Sequence, residues 1–174
     1  MEDIVTKDKN QKTVRVFTWI LIIITSISVL AGISGIIGAY IINSAQEYFQ
    51  SMPGKAAFAL NLTPINILNS IKIFISLYVL LSAVFVLNFK EVWRKQIITA
   101  LILAIVYLIA SPLVSYFDLL NIHLPDAENI PTRIQDTAKM ASLIFSYGWS
   151  VVFSTFFVVA IVKYNNAGIK LLFK

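Results

Sequence analysis

Cysteine is absent from this 174-residue chain, histidine occurs once, and Asp, Glu, Lys and Arg together make up only 13% of it. Without cysteine there is no disulfide framework, no thiolate metal site and no dithiol redox chemistry. A soluble domain carries about a quarter charged residues, so this chain has too little polar surface to cover a globule in water. The few charges also avoid the middle of the long apolar stretches. Proton relays, ion pathways and acid–base chemistry inside a membrane need ionisable groups there, which argues against a proton-coupled carrier and an intramembrane acid–base enzyme. No Gly-x-Ser-x-Gly elbow is present, and the one histidine, His123, falls between apolar stretches. The sequence nominates no catalytic residue, no metal ligand and no cofactor.

What the chain has is hydrocarbon: 58% of its residues are hydrophobic and its mean hydropathy is +0.80. Four apolar runs, about 16–42, 65–89, 97–117 and 140–162, fill most of it. About 20 apolar residues, at about 1.5 Å rise each, cross about 30 Å of hydrocarbon as a helix. The expected fold is all-α, a membrane-spanning four-helix bundle forming one domain over 1–174. The first run is far longer than the apolar region of a signal peptide, about 7–15 residues, so it is expected to remain as an anchor.

Basic residues orient the bundle. Ten of the fourteen Lys and Arg residues lie in the N-terminal segment, the 88–96 connection and the C-terminal tail, and short basic flanks stay in the cytoplasm. Both termini are therefore expected to be cytoplasmic, with 43–64 and 118–139 as extracytoplasmic loops. Aromatic residues favour headgroup level, which predicts belts of Trp19, Trp93 and Tyr164 on the inner side and Tyr40, Tyr48 and Tyr116 on the outer. Arg15, Lys90, Trp93, Arg94 and Lys95 form a basic inner rim suited to contacts with anionic lipid. Lys72, near the outer end of the second run, reads as a lysine that snorkels to the headgroups. Net charge +5 is explained by this topology, and no nucleic-acid partner is expected.

Within lipid no hydrophobic force draws helices together, so small residues and interhelical hydrogen bonds mark their contacts. Ser28, Gly32, Gly35 and Ala39 share one wedge of the first helix at 100° per residue, and Ser142, Ser146, Trp149 and Ser150 line a side of the fourth. Tyr78 and Tyr107 are placed at similar depth, which predicts a buried polar layer in which both hydroxyls and the Trp149 indole find serine or backbone partners around a small cavity. Pro112 should kink the third helix and release a carbonyl one turn earlier. In the loops, the residues after Met52-Pro53-Gly54 suit a short surface helix, and Pro131 is placed to start a helix running through Arg133 into the fourth span. His123, Asp126 and Glu128 match no zinc spacing.

A basic N-terminus, four spans, the inner connection Phe89-Lys-Glu-Val-Trp-Arg-Lys95 and a longer outer loop after span three resemble small uncharacterised bacterial four-helix integral membrane proteins. Trp93 stands directly before Arg94, where the commoner form is Trp-Ala-Arg. The resemblance implies a bacterial inner membrane and no catalytic residues. The function expected from the sequence is that of a non-enzymatic accessory, assembly or partner-binding subunit, contacting membrane lipids and either a membrane-protein partner or further copies of itself. A second reading is an oligomeric channel or carrier for a neutral or weakly polar solute, and a third is a lipid-acting membrane enzyme.

Overall fold

The fold follows from what lipid does to a backbone: with no water to bond N–H and C=O groups, each apolar run satisfies them within a helix. A computed structural model describes residues 2–50, 62–120 and 132–173, and the side chains of 2–6, 49–50, 117–120, 132–136 and 138–139 lie outside that description. The predicted surface helix after Pro53 and the His123, Asp126 and Glu128 group also lie outside the described residues. Four long helices, α1 (Glu2–Gln50), α2 (Thr63–Val86), α3 (Glu91–Leu120) and α4 (Thr132–Asn165), are followed by the single turn α5 (Ala167–Lys170). Stretches of all four, Lys7–Tyr48, Thr63–Val86, Glu91–Tyr116 and Met140–Asn165, are long and apolar enough to cross a membrane. Their outward faces carry Leu30, Phe74, Ile144 and Val151, each more than 60% exposed, as a lipid-facing bundle requires. This is a multi-pass, all-α membrane bundle.

The helices run antiparallel and pack in chain order, α1 on α2, α2 on α3 and α3 on α4. Both termini and the 87–90 turn therefore share one end of the bundle, here the terminal end; the opposite end is the loop end. α1 outruns its apolar core on both sides, because Glu2–Asn10 and Asn43–Gln50 continue the helix with polar residues. α3 passes through Pro112 without ending.

Close approach of α1 and α2 depends on two glycines. A methyl group at Gly32 would sit 2.6 Å from Ile73 Cγ1 and 3.4 Å from the Asn69 carbonyl oxygen, and one at Gly35 would sit 2.6 Å from the Asn69 side-chain nitrogen. Beside them the Ser76 hydroxyl donates to Ser28 Oγ at 2.9 Å, and Ala39 is buried.

The core is concentrated at the terminal end, where Leu21, Val86, Ile97, Leu101 and Ala160 are fully buried. The cap over it is built from α1, the turn and the C-terminal segment. Asn166 caps α5 by accepting the Gly168 N–H at 3.0 Å, and Phe173 packs its ring 5.6 Å from that of Phe89. Phe89 has φ of 51°, a left-handed conformation costing about 1–2 kcal/mol for a non-glycine residue, which the ring contact helps to offset.

Two sequence expectations are corrected here. Arg94 is not a lipid contact but is 6% exposed: its Nε and Nη2 donate to the Glu91 carboxylate at 2.6 and 2.5 Å, and its Nη1 donates to the Tyr164 carbonyl and to Asn165 Oδ1, both at 3.2 Å. A planar guanidinium can serve two helices in this way because its donors are fixed in a fork. Tyr164 is not a belt residue either. It is buried, and its hydroxyl lies 2.8 Å from Thr18 Oγ1. Thr18 gives its only proton to the Val14 carbonyl, so Tyr164 is the donor. This bond and the stacked rings of Phe17 and Phe156, 6.0 Å apart, join α1 to α4 at the terminal end.

Replacing Gly32 with Val is expected to destabilise the bundle by about 1–3 kcal/mol through overpacking. Gly38, where an added methyl meets nothing within 4 Å, should accept Ala with no loss. Thermal unfolding of the two variants in one detergent compares them.

Candidate functional site

The closure of α1 on α4 is confined to the terminal end, so the two helices leave an opening between them toward the loop end. It is a cleft of about 500 Å³, lined by all four long helices. Antiparallel packing stacks its lining in layers. Nearest the loop end are Ala31, Lys72, Ser111 and Ser142; below them come Ser28, Ser76, Tyr107, Ser146 and Trp149; at the closed bottom stand Thr25, Val79, Ala104, Ser150, Phe153 and Phe157. The lining therefore grades from a cation and hydroxyls at the mouth to a mainly apolar floor, where Val79, Ala104 and Phe157 are buried and the Thr25 and Ser150 hydroxyls are bonded to their own helix.

Lys72 is the chemically distinctive residue. Because α2 begins at Thr63, Lys72 stands about 13 Å along the helix. It is half-buried on the cleft wall, and among the described residues no carboxylate or hydrogen-bond acceptor is in contact with it. A lysine within a span normally has a partner or a water-filled neighbourhood.

Hydroxyls of the cleft are largely occupied along the backbone. Tyr107 donates to the Leu68 carbonyl at 3.2 Å, holding α3 to α2 one turn from Lys72. Ser150 is buried and donates to the Ser146 carbonyl at 3.0 Å, and Thr25 donates to the Leu21 carbonyl at 2.7 Å. Each keeps oxygen lone pairs free. Trp149 is 52% exposed and forms an aromatic ridge on α4, edge-on to Phe145 at 6.2 Å and stacked on Phe153 at 5.8 Å.

The residues expected to form one polar layer thus divide. Tyr107, Ser142, Ser146, Trp149, Ser150 and Ser28 share the cleft. Gly32, Gly35 and Ala39 serve packing beside α2. Tyr78 departs from the layer, donating to Gln96 Oε1 nearer the terminal end. The Trp149 indole has no hydrogen-bond partner among the described residues, contrary to the layer as predicted. Of the expected inner rim, Arg15, Lys90 and Lys95 are exposed, while Trp93 is half-buried with its ring stacked 4.4 Å from Phe85. Sequence reasoning missed Ser76 as a cleft residue and set Lys72 aside as a snorkelling side chain, whose charge within an apolar run was the available signal; Ser111 shares with Ala104 and Tyr107 the wedge of the third helix that the spacing marks for a neighbour, and that wedge lines the cleft. Among the described residues no three His, Cys, Asp or Glu side chains come together to hold a metal.

Lys72→Met keeps the length of the side chain and removes a charge that no protein group answers. In a neutral detergent this variant is expected to be more stable by about 1 kcal/mol, a rise of about 2–4 °C in Tm, measured by thermal unfolding.

Comparison of the chain with protein families, with curated proteins and with solved structures gives no match.

Proposed function

We propose that this protein is a non-enzymatic subunit of a bacterial cytoplasmic membrane, with both termini inside, that acts by contact through the cleft between α1 and α4. The observation that carries the reading is Lys72, a cation on the wall of a membrane-facing cleft with no counter-charge among the described residues. Such an arrangement is complete only when something entering from the bilayer supplies the missing group. Among the described residues the lining holds no carboxylate or histidine to pair with Lys72 as acid and base. The cleft is also blocked at the terminal end by Val79, Ala104 and Phe157, which favours a receptor for a membrane-borne partner over a pore through one chain. The bias of Lys and Arg toward the terminal end supports the orientation, by the tendency of basic flanks to stay in the cytoplasm.

Photo-crosslinking in native membranes tests the contact. A photoreactive residue in place of Ser142 or Trp149, on the cleft, should give discrete adducts. One in place of Phe74, 73% exposed on the outer face of α2, should give only the diffuse products of bulk lipid. Identical products from both faces would overturn the reading. For orientation, a reporter fused after Lys174 is expected to be active only when it requires the cytoplasm.

A further inference from the structure

The geometry points to an anionic phospholipid as the occupant of the cleft, its phosphate meeting Lys72 at the mouth, one acyl chain lying against the floor and the other remaining in the bilayer. This rests on the cleft being a contact site, as proposed above, and names what it receives.

Three observations select a lipid over a partner helix. The first is size: about 500 Å³ falls within the range of about 300–1,000 Å³ usual for small-ligand sites, whereas a helix about 10 Å across would need a far larger opening to seat several turns. The second is the order of the layers. Lys72, the one charged side chain of the lining among the described residues, lies at the mouth with Ser111 and Ser142, and the bottom is mainly apolar, with Val79, Ala104, Phe153 and Phe157 beside the backbone-bonded hydroxyls of Thr25 and Ser150, so charge falls along the direction in which an amphiphile becomes apolar. The Ser142 hydroxyl can donate to a phosphate oxygen while the ammonium supplies the charge. The third is access: the opening between α1 and α4 faces the bilayer over the loop half, so a two-chain lipid can place one chain inside without leaving the membrane. Lys72 stands about 13 Å along α2 from its start, and its four-carbon stem can raise the ammonium toward the phosphate.

The test reconstitutes the full chain in nanodiscs of phosphatidylcholine containing a minor fraction of phosphatidylglycerol, and measures the lipid retained on gentle release by native mass spectrometry. The expected result is one phosphatidylglycerol per chain, enriched over its share of the bilayer. Lys72→Met should weaken retention at least about fivefold, the scale of one lysine–anionic-lipid contact near the surface; Lys72→Arg should keep it. Ser146→Trp, which fills the middle of the cleft and leaves Lys72 in place, should reduce retention as well. Equal retention of phosphatidylglycerol by the parent and Lys72→Met, with both folded by thermal unfolding, would overturn the proposal, as would retention in proportion to bilayer composition. If the Ser142 crosslink instead joins a protein bearing a carboxylate at that depth, the lipid is excluded while the contact function stands. If neither lipid nor protein is captured at the cleft, both readings fail.

Discussion

Apolar side chains gain nothing by leaving hydrocarbon for one another, so this bundle is held by backbone proximity and by a small number of polar bonds. The consequence is visible in how unevenly those bonds are distributed. Gly32 and Gly35 let α1 and α2 meet closely, Tyr107 ties α3 to α2, and Arg94 ties the start of α3 to the end of α4. Among the described residues, α1 and α4 are joined near the terminal end, through Thr18, Tyr164 and the rings of Phe17 and Phe156. Where no glycine pair or buried hydroxyl draws two helices together, lipid has no reason to be excluded between them. The cleft is the result.

The same asymmetry separates the work of the two ends. At the terminal end the core is dense, the C-terminal turn caps it, and Arg94 is fully engaged by groups of its own chain. At the loop end α1 and α4 stand apart, and Lys72, Ser111 and Ser142 line the opening between them. Stability is thus concentrated away from the site, which allows the site to hold a group, the ammonium of Lys72, that weakens the empty bundle.

Much of this was legible before any coordinates. Four apolar runs specify four helices, and the Ser28, Gly32, Gly35, Ala39 wedge marks a packing face because a helix repeats every 3.6 residues. The full length of α1 was not legible in hydropathy: Glu2–Asn10 and Asn43–Gln50 are polar, and a helix that leaves the membrane loses the signal used to find it. Arg94 and Tyr164 were misplaced because charge and aromaticity suit both a headgroup belt and an internal bond, and only the approach of α4 to α3 and α1 decides between them. Tyr78 found Gln96 rather than a serine, since depth along a span does not say which way a side chain points. Lys72 was visible as an exception within its run, but its meaning depended on which helix pair stayed open.

α1 is an unbroken rod of 49 residues, and its tie to α4 at Thr18 lies about one third of the way along it. About 24 Å of rod extend on one side of that tie and about 48 Å on the other. If α1 tilts about this point together with α2, to which Gly32 and Gly35 hold its long arm, the short arm must swing the opposite way by about half the distance. Occupancy within the bilayer would then be written, at reduced scale, into the position of the polar segment Lys7–Lys12 beyond its surface.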